Sequence, residues 1–229
     1  MAVYFIQHTK ADSIKFVGHL DLQNALQRNL SRAGLNVAFS KGFNPHMLMS
    51  SAQPLSVGMS SEAEYLYVEL LDAPLEKDVQ KSLNATAPDG IRYLKVRQMD
   101  PTIGKPMALL DLVKTKIRFP SSREFAEHLE AFMADDSPIL VEVTNKKGVS
   151  KQRDLRPLIL PGAEVSHKEG YTDLVLKTMA GNPNHLNLNH LIDYLKQHMI
   201  GLEKNRFIHI KRLEMYHLKD GQYVSLGEI

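Results

Sequence analysis

Three stretches of this 229-residue chain hold residue types that could do chemistry. The first is Gly18-His19-Leu20-Asp21, at a point where helical spacing begins. The unpaired N–H groups and dipole of a helix start favour phosphate, and His19 could add a donor or a proton-transfer group. The same residues also read as a plain helix start, with Gly18 permitting the turn and Asp21 as cap. The second is KGFNPHMLMSSAQPLSVGMSSEAEY, residues 41 to 65, with Lys41, Asn44 and His46 near its beginning. Gly42 opens backbone conformations closed to other residues and Pro45 fixes a turn, so the three polar side chains could face a ligand from a rigid base. The bland alternative is a well-made turn leading into an extra apolar strand. The third is NKKGVSKQRDLRP, residues 145 to 157, where Lys146, Lys147, Lys151, Arg153 and Arg156 face the single acid Asp154. It reads either as a hairpin that projects charge towards phosphates or as a solvated one.

The rest of the sequence limits the chemistry available. With no cysteine, the chain cannot hold a disulfide, a Cys-ligated zinc or an iron–sulfur cluster of its own. Walker, dinucleotide, nucleophile-elbow and H-E-x-x-H motifs are absent, and the ten histidines are too scattered to mark a metal site. Net charge is +2, with 11 basic and 10 acidic groups in residues 1–109 and 17 and 16 in residues 110–229. Any anion site must therefore come from local clustering. No run approaches the ~18 apolar residues of a membrane helix. MAVYFIQHTKAD is too short in its apolar part for a signal peptide, so the cytoplasm is the expected location and no membrane partner is expected.

The elements that must position these residues follow from hydrophobic period. VYFIQHT reads as a strand. Leu22, Ala25, Leu26, Leu30 and Ala33 share a helix face that Gly34 ends, and NVAFS is a short strand. EYLYVELL alternates Leu66, Val68 and Leu70 with Tyr65, Tyr67 and Glu69. A helix opening at Pro74 should bury Leu75, Val79 and Leu83, and IRYLKVR closes the unit as a strand. The second half repeats the order. LVKTKIRF is a strand with Lys114, Lys116 and Arg118 on its wet face. A helix capped by Ser121 with Glu124 carries Phe125, Leu129, Phe132 and Met133. ILVEVT and YTDLVLKTM are strands, a helix over 188–199 should bury Leu188, Leu191, Ile192, Leu195 and Met199, and FIHIKRLEMY ends the pattern.

This predicts an α+β protein of two tandem ferredoxin-like (βαββαβ) domains, 1–106 and 107–229, parted in RQMDPTIGKPM. The first contains a long ordered loop over 41–64 between its middle strands, and the second a basic hairpin over 145–157. Apolar residues from Phe43 to Met59 argue that the long loop is ordered, and long ordered loops are usually functional.

Residues 16 to 69 carry G-H-L-D-L, R-A-G-L, G-F-N-P-H, P-L-S-V-G and E-Y-L, and the second half adds R-D-L-R-P. In these motifs the chain closely resembles the bacterial radical-SAM-linked proteins, a domain of unknown function. One position departs: Met47 and Leu48 follow His46 where that family commonly has Pro and Lys. The resemblance implies association with a radical SAM protein. A chain without cysteine would serve it as an accessory, here as a separate polypeptide that binds no cofactor itself. Fold-level likeness to CRISPR repeat-processing endoribonucleases adds RNA as a possible ligand. The leading expectation is a non-catalytic module that presents RNA, or an RNA-containing assembly, to the radical SAM partner. In it His19, Lys41, Asn44 and His46 extend a surface with Lys146, Lys147, Lys151, Arg153 and Arg156. The alternative is a metal-independent endoribonuclease in which His8, His19 or His46 acts as general acid or base. Met47, Leu48, Met49 and Met59 are expected either to meet the protein partner or to fill the core.

Overall fold

The computed structural model describes residues 1–229 apart from 145–147 and 182, and apart from the side chain of Pro101. The chain is a mixed α+β protein that divides into two compact units, Met1–Asp111 with Lys211–Ile229, and Leu112–Ile210. Among the described residues no helix is long and apolar enough to cross a membrane.

In the first unit β1 (Ala2–Lys10) leads through a 3-10 turn (Asp12–Ile14) to α1 (His19–Arg32). Then follow β2 (Met49–Ser51), β3 (Met59–Leu70), α2 (Glu76–Ala85), β4 (Tyr93–Met99) and the single turn α3 (Pro106–Leu109). β1 lies between β4 and β3 and pairs antiparallel with both, while β2 pairs antiparallel with β3. Alternation puts Tyr4 and Ile6 of β1, and Leu66, Val68 and Leu70 of β3, on one face. Leu22, Leu26 and Leu30 of α1 and Val79 and Leu83 of α2 close over it. Each fully buried leucine contributes about 1.5–3 kcal/mol from burial alone. Gly34, at φ 70°, stops α1 in a conformation that a side chain would oppose.

In the second unit β5 (Leu112–Pro120) is followed by α4 (Arg123–Ala134), β6 (Leu140–Thr144), β7 (Ser150–Asp154), β8 (Glu164–Lys168), β9 (Tyr171–Met179) and α5 (Leu188–His198). β9 lies between β5 and β8, antiparallel to each. Ile117, Phe119, Leu174 and Leu176 meet Phe125 and Leu129 of α4 and Leu191 and Leu195 of α5. The Phe119 and Phe125 rings lie 5.3 Å apart at a tilt. Strand β10 (His209–Lys219) carries the chain back, so that Lys211 onward belongs to the first unit, where β11 (Gln222–Ser225) pairs with it.

Several expected elements sit elsewhere. NVAFS makes only isolated bridges, Val37 to Leu70 and Phe39 to Met47, and the strand beside β3 is β2. The 41–64 loop is accordingly shorter as a loop: it contains β2 and the start of β3. ILVEVT forms β6, but it pairs with β7 in a separate two-stranded sheet. The strand beside β9 is β8, whose polar residues hid it from a hydrophobic reading. Leu75 is the N-cap of α2 and stays exposed, because Pro74 lies before the cap and not in the first turn. At α4 the cap is Ser122, which accepts from the Phe125 N–H, while Ser121 is buried and donates to Thr172.

Gly201 faces that cap. It stands at φ 80°, its carbonyl accepts from Ser122 N–H at 2.8 Å, and a Cβ there would collide with the Ser122 hydroxyl and lie 3.1 Å from Phe125 N. Gly201→Ala is therefore expected to destabilise the protein by about 1–3 kcal/mol, read as a lower thermal midpoint.

Candidate functional site

The turn that opens the long connection is closed by a clamp. Ser40 N–H donates to the His46 carbonyl at 2.8 Å, His46 N–H donates to Ser40 Oγ at 3.1 Å, and His46 Nδ1 lies 2.8 Å from the same hydroxyl. Residues 41–45 are thus held as a bulge with fixed ends. Gly42, at φ 124°, takes a backbone conformation that other residues rarely adopt. Lys41, Asn44 and His46 are exposed there, and between them the Phe43 ring stands wholly in water at 105% relative exposure. On the inner side His46, Met47, Leu48, Met49 and Ser50 line a concavity of about 70 Å³ with Tyr67, Glu69 and Lys105. The Tyr67 hydroxyl donates to Glu69 at 3.0 Å; burial, then that bond, pushes its pKa up to about 12. Met47 and Met49 pack against the core, and Leu48 and Met59 are half-buried, so this group is largely core filling.

His19 is the first helical residue of α1 and is half-buried, with Gly18 as an N-cap that has no side chain to bond the helix. Asp21 lies in the first turn and is not the cap. Beside this helix start lies a buried charged cluster that the motifs did not reveal. Lys10, only 1% exposed, donates from Nζ to the carbonyls of Lys15 and Val17, each at 2.9 Å. Across the sheet Glu64 accepts from Arg212 Nη1 at 2.7 Å, with both side chains buried. Arg212 also donates to the Gln53 carbonyl at 3.2 Å and to the Gln53 side-chain oxygen at 2.8 Å. His8 is the register partner of Glu64, and its Nδ1 lies 3.1 Å from the Thr9 carbonyl. Burial holds His8 below the usual histidine range, against an opposing pull from Glu64 and from the Thr9 bond. Lys10 is likewise held below the usual lysine range by burial, with Glu64 opposing. Period two was the available signal: His8 and Lys10 continue the buried face of Tyr4 and Ile6, and Glu64 that of Leu66 and Val68. Arg212 gave none.

The basic stretch lies in the second unit. Lys146 and Lys147 fall outside the described residues, and Lys151 is exposed on β7. Arg153 donates to the His185 carbonyl at 3.2 Å. Arg156 donates to the carbonyls of Ser137 and Phe132, each at 3.0 Å, and its guanidinium sits 4.9 Å from the centre of the Phe132 ring. Asp154 accepts from the Ile139 and Arg156 N–H groups at 2.8 and 2.9 Å. The R-D-L-R-P run therefore builds a corner that joins β6 and β7 to the end of α4, and Arg156 serves that corner.

Of the four first-unit residues, Lys41, Asn44 and His46 lie on the clamped turn, where His46 is bonded to Ser40, and His19 lies at the start of α1. No two of His8, His19 and His46 share a hydrogen bond, and among the described residues no group of three His, Asp or Glu is placed to hold a metal.

Two outcomes follow from the buried cluster. Glu64→Ala would leave the buried Arg212 and Lys10 without their carboxylate and is expected to cost about 3–5 kcal/mol in denaturant unfolding. Because folding lowers the His8 pKa, the unfolded chain binds the extra proton. Stability is full above the unfolded value, about 6.5, and falls as pH drops below it towards the folded pKa. A His8→Gln variant is expected to flatten the stability profile below about pH 6.5 in a pH-resolved denaturation series.

Set against known proteins, no curated protein matches the chain. A solved structure of an unknown protein from Galdieria sulphuraria overlaps 92% of this chain and 96% of its own at 13% identity, with a TM-score of 0.26, too loose to transfer fold or function. Residues 4–189 match a family described as "Uncharacterized protein conserved in bacteria (DUF2344)". With most of its length inside that match, the chain belongs to this bacterial family of uncharacterized proteins.

Proposed function

We propose that this chain is a non-catalytic, cytoplasmic module that binds single-stranded RNA and presents it to a radical SAM protein. The observation that carries the reading is the clamped turn. A phenyl ring left wholly in water at Phe43 gains nothing for the fold, yet the Ser40–His46 bonds hold its loop in one place. Beside it stand the ammonium of Lys41 and the amide of Asn44. An aromatic platform with a cation and an amide is what an unstacked base and its phosphate require.

The strand order β4-β1-β3-β2, with α1 and α2 over one face, supports a ferredoxin-like reading of the first unit. In the second unit, β8-β9-β5 with α4 and α5 supports the same reading, with the β6–β7 hairpin as an insertion. The linked motifs from G-H-L-D-L to R-D-L-R-P support the radical SAM partner, and a chain without cysteine would leave the cluster to that partner. Exposed Phe16, Leu20 and Val57 offer apolar contact for it. The Gly58 N–H bond to the Lys15 carbonyl brings Val57 beside Phe16.

The test is anisotropy of a labelled single-stranded RNA titrated with the full chain over a series of salt concentrations. Log affinity is expected to fall linearly with log salt, at about 0.7 for each phosphate contacted. Phe43→Ala is expected to weaken binding about 5- to 100-fold, the worth of one stacked base, with the salt slope unchanged. Lys41→Ala is expected to lower the slope by about 0.7. Binding that ignores both salt and Phe43 would overturn the reading. RNA cleavage that survives chelator and disappears in His19→Ala would replace it with a metal-independent ribonuclease.

A further inference from the structure

We infer that the face of the β8-β9-β5 sheet turned away from the helices of the second unit is a track for the phosphates of single-stranded RNA. The proposal takes its ligand class from the RNA reading above but places the contact on a different surface.

The helices of this unit cover the face that carries Ile117, Phe119, Leu174 and Leu176. Register assigns the opposite face to Lys114, Lys116 and Arg118 of β5, to Tyr171, Asp173, Val175 and Lys177 of β9, and to Glu164, Ser166 and Lys168 of β8. Among these described residues five side chains are basic and two acidic, in a chain whose overall count is 28 against 26. Arg118, Lys168, Lys177, Ser166 and Glu164 are exposed and the others named are half-buried, while Leu112 and Pro120, at the two ends of β5 on the same face, are buried.

One feature separates this face from a merely solvated one: two guanidinium groups at it are held in place. Arg118 and Arg206 lie 5.8 and 5.1 Å from the centre of the Tyr171 ring, and Arg206 also bonds the Tyr171 hydroxyl. Such pre-positioned groups lose less freedom when a phosphate arrives. Along β5 alternate residues put Lys114, Lys116 and Arg118 about 7 Å apart, a spacing suited to successive phosphates of an extended strand.

Carboxylates oppose the track: Glu164 lies on this face, Glu169 stands 3.4 Å from Lys168 Nζ, and Glu203 pairs with Arg206 at 3.1 Å. Asp173 accepts from Arg118 at 2.7 and 2.8 Å and pairs with Lys116 at 2.8 Å. Phosphates would have to share these two cations with it, which makes Asp173 a brake whose removal has a sign of its own.

The experiment compares variants of the full chain in the same RNA titration. Lys114→Gln with Lys116→Gln is expected to lower the salt slope by about 1.4, two contacts' worth. Asp173→Asn is expected to tighten binding several-fold at low salt, an effect that a structural role for the carboxylate would not produce. If the double variant is poorly folded by circular dichroism, the Asp173→Asn gain decides alone. An unchanged slope in a folded double variant, or an unchanged affinity in Asp173→Asn, overturns the track. The Phe43→Ala result reports separately on the clamped turn, so either surface can fail while the other stands. Wild-type protein that binds no RNA overturns both.

Discussion

A carboxylate taken out of water must be answered, and in the first unit Glu64 sets much of what surrounds it. It continues the apolar face of β3, where desolvation of an unpaired charge would cost several kcal/mol. Arg212 answers it directly from the returning C-terminal strand, His8 lies across from it on β1, and Lys10, further along β1, is opposite Ser61. Each of these groups then holds something else. Arg212 binds both the backbone and the side chain of Gln53, which ties down the connection after β2. Lys10 binds the carbonyls of Lys15 and Val17, which fixes the approach to α1. The Gly58 N–H closes the circle on the Lys15 carbonyl. The far part of the long connection is ordered because it is tied to a buried charge, and the near part because Ser40 and His46 clamp it.

This arrangement explains what the sequence made legible. Period and alternation located β1, α1, β3 and β4, and the apolar stripe of α4, because in each case burial alone decides the conformation. Residues whose role is to satisfy a partner distant in sequence escaped. Arg212 is 148 residues from Glu64, and no local pattern announces their bond. β8 was missed because Glu164, Ser166 and Lys168 make it look like a loop, although its pairing with β9 is regular. In the basic stretch Arg156 is bound to two backbone carbonyls and Arg153 to a third, which a count of charges cannot reveal.

The two proposed surfaces use different physics. On the clamped turn a rigid aromatic ring offers stacking, which tolerates any base and depends little on salt. On the β8-β9-β5 face five cations, with the guanidinium groups of Arg118 and the neighbouring Arg206 held against Tyr171, offer phosphate contacts that depend on salt throughout. A module that combined the two would grip RNA without reading much of its sequence, which suits presentation of a substrate to another enzyme better than selection of one.

The most direct measurement is ultraviolet cross-linking of a single-stranded RNA to the full chain at moderate salt, with the attached peptides identified by mass spectrometry. Cross-links are expected in the peptides that contain Phe43 and the run from Lys114 to Arg118. Cross-links confined to other surfaces, or none at protein concentrations that saturate the titration, would contradict the account.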